Sequence, residues 1–248
     1  MKILFLIDSL QKGGKERQLV ELIKGLYTKK ELYIELVVMN NKIEYNDIFD
    51  LDIKINFLIR KTKKDFSIFF KLHKIYSKFR PDIIHTFDTM TTFYVLPIKF
   101  YYRTKLINGS IRFAAENLKQ LFFTYYFNKL LFIFSDFIIA NSLAGLKTFN
   151  LFKSDKNLCI YNGFDFNRST NLDSSSFIME KWNIKKNKLV CMVSSFAVHK
   201  DNEAYIRSAL LVLSIRKDVV FLAIGDGINL NKCKEIAKGN PNIIFTGN

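Results

Sequence analysis

Cysteine is scarce in this 248-residue sequence, and its three cysteines stand far apart. Cys159, Cys191 and Cys233 are odd in number, and no pair has the short spacing of two ligands to one metal ion. Cys159 and Cys191 lie in apolar runs that are typical of buried strands. We therefore expect all three to be small buried hydrophobic side chains in a reducing compartment.

Long hydrophobic runs are also absent. The apolar run at the N-terminus spans only Ile3–Ile7 before Asp8, which is too short for the core of a signal peptide. The most apolar stretch, residues 121–140, is interrupted by Asn128, Lys129 and Asp136, whereas a spanning helix needs ~20 predominantly apolar residues. The sequence therefore predicts a cytoplasmic protein without a transmembrane segment.

Acidic residues are few relative to basic ones, with 23 against 38 and a formal net charge of +15. Most of the excess lies in residues 1–162, which hold 26 basic and 15 acidic side chains. A basic balance permits nucleic acid or anionic lipid as a partner. We find no nucleic-acid motif, so we predict no nucleic-acid partner. A GxGxxG fingerprint is missing as well, which disfavours a nicotinamide-dependent dehydrogenase.

Short apolar runs alternate with helical patterns, which is typical of a parallel sheet with both faces covered. In the first half the predicted strands are 2–8, 32–39, 53–59, 82–85, 105–108, 136–140 and 157–161. The predicted helices there are 15–28, 65–79, 91–101, one within 116–134, and 143–152. Asn162-Gly163 breaks the pattern, and residues 164–187 are rich in Asn, Ser, Asp and Lys.

A second, shorter series follows, with strands 189–194, 219–224 and 243–245 and helices 201–215 and 229–238. The sequence thus predicts an α/β protein of two Rossmann-like parallel-sheet domains, of which the second is incomplete. The predicted division is an N-terminal domain at 1–163, a linker at 164–187 and a partial C-terminal domain at 188–248.

Two glycines, Gly13 and Gly14, join the first strand to the first helix. They let the backbone turn tightly and approach a ligand, and the helix N-terminus behind them offers free N–H groups to a phosphate. A plain structural turn explains the pair equally well.

Three further candidates follow strand ends in the first half. His85 ends one strand, Asp88 follows it, and Arg112 comes after the next strand. Open parallel sheets bind ligands at this edge, and the Arg fork matches phosphate or carboxylate geometry. A satisfied structural histidine and an unpartnered exposed arginine are the alternatives. In the second half, Lys200, Gly225 and Asp226 occupy comparable strand-to-helix junctions.

The segment Arg60–Arg80 holds eight basic residues and one acid, Asp65. On a helix, four lysines fall on one stripe while the aromatic residues face elsewhere: Lys64, Lys71, Lys74 and Lys78. A solvated helix face accounts for this pattern. The functional interpretation is a helix on anionic lipid, with each basic residue contributing about 1 kcal/mol.

The order of these motifs resembles the retaining glycosyltransferases of family 4, which have the GT-B fold. The matching motifs are Gly-Gly-x-Glu-Arg at 13–17, Pro-Asp-Ile-Ile-His at 81–85, Ser-Asp-x-Ile-Ile-Ala-Asn-Ser at 135–142, Ile-Tyr-Asn-Gly-Phe-Asp at 160–165, His-Lys-Asp at 199–201, Ile-Gly-Asp-Gly at 224–227 and Ile-Ile-Phe-Thr-Gly at 243–247. No single motif is specific, whereas their order and spacing are.

The resemblance implies transfer of a sugar from a nucleotide-sugar donor to a lipid-linked or polysaccharide-precursor acceptor, with retention, at the cytoplasmic membrane face. It implies no metal and no cofactor. Under it, Gly13, Gly14, Lys200, Gly225 and Asp226 bind the donor. Arg112 and Asp88 lie on the acceptor side, and His85 is the candidate catalytic residue.

Two departures from the family pattern are expected to matter. Ser194-Ser195 stands where the family commonly has Gly-Arg, and the family's Glu-x7-Glu region has no counterpart in these 248 residues. The expectation is therefore a C-terminally truncated member. The alternative is an inactive fragment or a non-enzymatic binding or assembly partner.

Overall fold

The computed structural model describes residues 1–62, 65–112, 114, 122–152, 154–170, 174–185 and 188–247. The chain divides into two compact units, Met1–Phe166 and Asn167–Asn248. Within the described ranges, none of the helices combines the length and the apolar character that crossing a bilayer requires.

The first unit alternates strands and helices along the chain. Its strands are β1 (Lys2–Ile7), β2 (Tyr33–Val38), β3 (Lys54–Phe57), β4 (Ile83–Thr86), β5 (Lys105–Ile111), β6 (Phe137–Ala140) and β7 (Asn157–Cys159). Its helices are α1 (Gly14–Tyr27), α2 (Ser67–Phe79), α3 (Thr89–Tyr102), α4 (Phe122–Ile133) and α5 (Leu143–Thr148).

The seven strands form one sheet in the order β3-β2-β1-β4-β5-β6-β7, and all six pairs of neighbours are parallel. The predicted parallel α/β architecture is confirmed. In its register, Phe5 of β1 lies between Leu36 of β2 and His85 of β4. Parallel pairing brings the carboxyl ends of all seven strands to one edge, called the carboxyl edge below.

Helices cover the sheet unequally. Alternate residues of β1 and β2 pack with Leu19, Val20 and Ile23 of α1, whereas the intervening residues pack with α2 and α3. Because successive side chains of a strand point to opposite faces, α1 lies on one face and α2 and α3 on the other. A separate core joins β6 to α4 and α5 through Ile138 and Ala140.

The helix boundaries differ slightly from the predicted ones. Helix α3 begins at Thr89 instead of position 91, because the Asp88 side chain caps it by accepting the Thr91 N–H at 2.8 Å. Helix α4 is described from Phe122, and residues 116–121 of the predicted 116–134 range lie outside the described residues.

The second unit has a three-stranded parallel sheet in the order β10-β9-β8. The strands are β8 (Lys188–Val193), β9 (Val219–Ile224) and β10 (Ile243–Gly247), and the helices are α6 (Ser175–Lys181), α7 (Asn202–Ile215) and α8 (Leu230–Ala237). Helix α6 falls inside the segment predicted as a linker. Met179 and Trp182 there pack against the buried Val220 and Leu222 of β9, so part of that segment belongs to a packed core.

The expectation of three buried cysteines is wrong for two of them. Cys233 is buried, but Cys159 is half-buried and Cys191 is exposed. Cys191 lies in β8, which pairs only with β9 and stands at one edge of its sheet, and most β8 side chains are exposed. An apolar run therefore does not by itself distinguish a central strand from an edge strand.

Candidate functional site

Polar side chains collect at the carboxyl edge of the seven-stranded sheet. Asp8 follows β1, Asp88 follows β4, Arg112 follows β5 and Asn141 follows β6. Their strands are neighbours in the sheet, so the fold brings together residues that are up to 133 positions apart in the sequence.

Asp8, Lys15 and Asp88 form a hydrogen-bonded cluster. The Lys15 ammonium donates to Asp8 Oδ1 and lies 3.4 Å from Glu16 Oε1, and the Asp8 N–H donates to Asp88 Oδ2 at 2.9 Å. Burial raises the pKa of Asp88, and the Asp8 charge adds to this. Burial alone would lower the pKa of Lys15, but the surrounding carboxylates outweigh it and raise that pKa. The charge of Lys15 is thus already paired with carboxylates of the protein. The carboxylate oxygens of this cluster offer acceptors to a ligand hydroxyl.

The predicted phosphate loop is held by a residue that the sequence did not single out. Tyr45 Oη accepts the Gly13 N–H at 3.1 Å and donates to the Gly13 carbonyl at 2.8 Å. The Lys12 N–H donates to Glu44 Oε2 at 2.6 Å. Neither of these two backbone N–H groups is therefore free for a phosphate.

Gly13 and Gly14 differ in what surrounds them. A Cβ at Gly13 would stand 2.2 Å from Glu16 Oε2, so a larger residue there would require the flexible Glu16 side chain to move. A Cβ at Gly14 would meet nothing within 4 Å. Gly14 instead borders an open cavity of about 120 Å³, together with Lys15, Arg112 and Asn141. The donor-binding role of both glycines stays a prediction, and only Gly14 presents a free surface.

His85 is buried, with 6% of its surface exposed, between the rings of Phe5 and Phe87 at centroid distances of 5.3 and 4.7 Å. Its Nε2 has no hydrogen-bond partner among the described residues. Burial, assisted by the Arg112 charge, lowers the pKa of His85 to about 3. The imidazole is therefore neutral at physiological pH and can offer a hydrogen bond but no ionic charge.

Arg112 lies directly against His85. Its guanidinium stacks 4.3 Å from the Phe87 ring centre, and its buried Nε has no partner among the described residues. Burial lowers the pKa of Arg112 to about 10, which still leaves it charged. Gly109 makes room for this pair, since a Cβ there would stand 2.8 Å from Arg112 Nη2 and 3.1 Å from His85 Nε2. The structure thus brings His85 and Arg112 together, as their predicted positions require.

A larger cavity of about 470 Å³ opens beside His85 on the α1 side of the sheet. Ile83, Ile107 and Ile139 of three neighbouring strands form its floor, with Gln18 of α1 and Tyr161 at its side. Gln18 is held by two 3.0 Å hydrogen bonds with the Gly163 backbone. The cavity is mostly apolar, and His85 and Arg112 are among its few polar groups.

In the second unit the predicted donor-binding residues lie around a tight backbone turn. Gly225 has a φ of +134°, and a Cβ there would stand 2.0 Å from the Ser194 carbonyl oxygen. The Phe196 N–H donates to the Asp226 carbonyl at 2.9 Å. The Asp226 and Lys200 side chains are exposed. The turn explains the glycine by geometry alone, so its role in donor binding stays a prediction.

The predicted lysine stripe lies partly on α2. Lys71, Lys74 and Lys78 are exposed there, and Lys64 lies outside the described residues. The aromatic residues predicted to face away from the lysines are not all buried, since Phe66 and Phe70 are 69% and 80% exposed. The buried face of α2 consists instead of Ile68, Leu72 and Tyr76.

Exposed aromatic side chains continue from α2 onto its neighbours. Tyr101 of α3 and Phe123 of α4 are 77% and 80% exposed. An apolar groove of about 370 Å³ runs between α2 and α3, lined by Phe70, His73 and Tyr101 among others. The lysines and these rings together are called the basic aromatic surface below.

Sequence reasoning missed Asp8, Lys15, Tyr45 and Asn141 as members of this edge. Asp8 and Asn141 were within reach of the rule that ligands bind at the carboxyl ends of parallel strands. Tyr45 had no local signal, because it contacts Gly13 from 32 positions away. No group of three or more metal-ligating side chains comes together within the ranges that the structure describes.

Comparisons with known proteins identify the fold of this chain. No protein-family model matches the sequence, and no curated protein matches it. Among solved structures, Anabaena Alr3699/HepE in complex with UDP-glucose matches all of this chain and 69% of its own, with a TM-score of 0.79 at 18% identity. A glycosyltransferase from Rickettsia africae matches 100% of this chain and 68% of its own, with a TM-score of 0.76 at 21% identity.

A UDP-N-acetylglucosamine 2-epimerase also matches, over all of this chain and 68% of its own, with a TM-score of 0.67 at 13% identity. These TM-scores establish a shared architecture, and sequence identities this low leave the activity open. The chain therefore has the α/β fold of the GT-B glycosyltransferases, with a seven-stranded and a second parallel sheet.

Proposed function

We propose that this protein is a retaining glycosyltransferase of the family 4 type, moving a sugar from a nucleotide-sugar donor to a lipid-linked or polysaccharide-precursor acceptor at the cytoplasmic membrane face. The observation that carries the proposal is the pair His85 and Arg112 at the carboxyl edge. Both groups are largely buried there, and each has a nitrogen without a partner among the described residues.

Such an arrangement is unfavourable for stability alone. Leaving a buried donor or acceptor unpaired costs about 1–3 kcal/mol, and more for a charged group. Buried unpaired groups of this kind occur at catalytic sites and where water or an ion satisfies them, and a bound ligand can do the same. A polar ligand with hydroxyl and anionic groups fits a neutral imidazole, a guanidinium and the carboxylates of Asp8 and Asp88.

The donor class follows from the fold and from one neighbour. HepE was solved with UDP-glucose, so a UDP-hexose is the first donor to test. We assign Lys200 to neutralising the leaving diphosphate, with Gly225 and Asp226 shaping the turn beside it. No metal is needed if side chains and helix N-termini stabilise the leaving group, which is the electrostatic route to a lower barrier.

His85 would act as a hydrogen-bonding group. With a pKa of about 3, its imidazole is neutral at neutral pH and is not a general acid there. Its Nε2 would bind a sugar hydroxyl near the reacting carbon. Front-face attack with retention then requires the acceptor hydroxyl and the leaving phosphate on the same face of the sugar. The acceptor oxygen bonds to the anomeric carbon as the bond from that carbon to the phosphate oxygen breaks, and the leaving phosphate takes the hydroxyl proton.

Turnover of UDP-hexoses tests this proposal. The full chain is incubated with UDP-glucose, UDP-galactose and their N-acetyl forms, and release of UDP is followed with and without a lipid extract as acceptor. We expect release with at least one donor and a drop of tenfold or more in His85→Ala. Lys147→Gln, an exposed substitution on α5, should leave the rate unchanged. Absence of UDP release from every donor would favour the non-enzymatic alternative.

The membrane part of the proposal rests on the basic aromatic surface. Lysines and aromatic side chains side by side are the composition of helices that lie in the bilayer interface. The surface is built from α2, α3 and α4, with Lys71, Lys74 and Lys78 beside Phe70 and Tyr101. Each lysine near an anionic surface contributes about 1 kcal/mol.

Cosedimentation with vesicles tests the membrane part. We expect binding to phosphatidylglycerol vesicles and little binding to phosphatidylcholine vesicles. Replacing Lys71, Lys74 and Lys78 by Gln should weaken binding by about a hundredfold, from about 1 kcal/mol per lysine. A matched control replaces Lys217, Lys232 and Lys234 of the second unit. Equal sedimentation with both lipids would end this part of the proposal and leave the transferase part intact.

A second candidate, a nucleotide-sugar epimerase, is favoured by the match to a UDP-N-acetylglucosamine 2-epimerase. The two activities differ in their need for an acceptor. Conversion of UDP-N-acetylglucosamine to an isomeric nucleotide sugar without any acceptor, detected by proton NMR, would replace the transferase proposal by this one.

A further inference from the structure

A second cavity, of about 160 Å³, lies on the α4 side of Arg112 at the carboxyl edge, and its lining is more apolar than polar. Thr89 of α3, Ser110 of β5 and Thr124 and Asn128 of α4 contribute polar groups to it, and Arg112 closes one end. It is separate from the apolar cavity beside α1, and none of the predicted donor residues lines it. We call it the β5–α4 cavity.

Helix α4 carries two polar residues that border this cavity, the exposed Thr124 and the buried Asn128. Its sequence is largely aromatic and aliphatic, yet Thr124 and Asn128 stand four positions apart and so share one face. Asn128 is more than nine-tenths buried. Its Oδ1 accepts from the Thr89 hydroxyl at 2.7 Å, and its Nδ2 donates to the Thr124 carbonyl at 2.8 Å. An amide nitrogen has two hydrogens, so one donor is left for a ligand.

Strand β5 aims two further groups at the same place. Its register shifts between Asn108 and Ile111, where the Asn108 side chain accepts the Ser110 N–H at 3.0 Å. The Ser110 hydroxyl is buried and has no partner among the described residues. Arg112 Nε likewise has no hydrogen-bond partner among them, most of the Arg112 surface is removed from water, and the nearby Glu16 carboxylate favours its charged form. A desolvated guanidinium of this kind favours an anion.

The rest of the lining is aromatic. Phe132 of α4 and Phe149 after α5 form the wall, packed edge to face at 5.0 Å between centroids. A sugar ring has hydroxyls on its rim and C–H groups on its faces. Such a ring fits this cavity, where hydroxyl and amide groups stand beside an apolar aromatic wall. The charge of Arg112 at one end favours a sugar that bears an acidic substituent.

We infer that the β5–α4 cavity binds a sugar ring that bears an oxyanion, with Arg112 pairing the carboxylate or phosphate and Ser110 and Asn128 bonding the ring hydroxyls. As a statement about the acceptor of a glycosyltransferase, this inference rests on the proposed function. As a statement about a binding site, it stands on the cavity and is tested by binding alone.

Titration calorimetry on the full chain tests the site with four probes: glucuronate, glucose 1-phosphate, methyl glucoside and inorganic phosphate. We expect at least one of the two acidic sugars to bind tenfold or more tightly than the neutral sugar and the free phosphate. The tighter of the two identifies carboxylate or phosphate as the source of the anion. Equal affinity for methyl glucoside, or no binding of either acidic sugar, would overturn the inference.

Two variants place the binding in this cavity. Arg112→Gln should weaken the acidic sugar tenfold or more, and Ser110→Ala should weaken it about threefold, while both keep the wild-type thermal unfolding curve. Lys147→Gln removes the same charge from an exposed position nearby and should change nothing. If Arg112→Gln fails to fold, Ser110→Ala decides alone, and unchanged affinity there contradicts the assignment.

UDP-glucose is titrated in parallel to separate the two proposals. Binding of UDP-glucose without binding of any acidic sugar would remove this inference and leave the proposed function. Arg112-dependent binding of an acidic sugar without any affinity for nucleotide sugars would do the reverse.

Discussion

The two units of this chain have the same strand-and-helix alternation but present different groups at their carboxyl edges. In the Met1–Phe166 unit the edge holds ionisable side chains that are buried or half-buried, namely the buried His85 and the half-buried Asp88 and Arg112. In the Asn167–Asn248 unit it holds a turn built by Gly225, while Lys200 and Asp226 stand in solvent.

The difference shows two ways in which one topology makes a site. Buried polar side chains reduce stability unless a hydrogen-bond partner satisfies them, so the unpartnered groups at the edge of the first unit lower its stability. A tight turn exposes backbone groups and helix N-termini without burying a charge. The edge of the second unit therefore depends on backbone conformation. Substitutions in the first unit should therefore act through burial and electrostatics, and those in the second unit through backbone conformation.

The largest effect is expected at Gly225. Alanine there would combine a left-handed φ with a Cβ 2.0 Å from the Ser194 carbonyl, so Gly225→Ala should lower the free energy of unfolding by about 3 kcal/mol or more. Trp182, the single tryptophan, reports on the second unit in urea titrations followed by fluorescence. Gly14→Ala is the matched control and should change stability by less than about 1 kcal/mol. Similar losses in both variants would contradict the backbone argument.

The next effect is expected from pH, through His85 in the first unit. The folded pKa of His85 is about 3 and the unfolded value is near 6.5, so between these values the unfolded chain binds the extra proton. Stability should fall as pH drops through that window, by at most about 1.4 kcal/mol per pH unit for one group. His85→Gln should flatten this dependence in hydrogen-exchange measurements on β4. An unchanged slope in the variant would show that another group is responsible.

Two tyrosines allow a closer comparison. Tyr45→Phe leaves the Gly13 N–H without its partner, whereas Tyr205→Phe removes a donor from the β8 and β9 carbonyls of Val190 and Leu222. We expect losses of about 1–2 kcal/mol for Tyr45→Phe and about 1 kcal/mol for Tyr205→Phe. Faster hydrogen exchange at Gly13 should accompany the first change only. Unchanged exchange there would mean that Tyr45 does not hold the loop.

The smallest effect on stability is expected at Lys200, an exposed residue. Lys200→Gln should change the free energy of unfolding by less than about 0.5 kcal/mol, as surface substitutions usually do. Under the proposed function it should nevertheless weaken UDP binding about tenfold in calorimetry. Wild-type affinity for UDP in this variant would exclude Lys200 from the donor site while leaving the turn at Gly225 unaffected.

Much of the fold was predictable because it rests on local periodicity. The apolar run of β1 with its glycine pair, and the strand that ends at His85, indicate parallel strands from their residue types alone. The strand count of both sheets followed in the same way. The predictions were weaker where one residue type suits two environments, as at Cys191 in an exposed edge strand and at Phe70 on an exposed helix face.

The candidate site was predictable only as a set of positions. The rule for parallel sheets pointed to His85, Asp88 and Arg112, since each follows a strand. It could not indicate that His85 is buried and without a partner at Nε2, nor that Lys15 is neutralised by Asp8. These properties depend on neighbours that come from other strands, and no local pattern records them.

By itself, the sequence determined the alternation of strands and helices, the parallel sheets and the edge at which polar residues collect, because these follow from side-chain periodicity and turn chemistry. Only the tertiary structure decided which of those residues is charged, paired or open to a ligand. Burial and the distance to the nearest opposite charge govern ionisation and hydrogen bonding. Burial and that distance depend on tertiary contacts, such as those of Tyr45 with Gly13 and of Arg112 with Phe87.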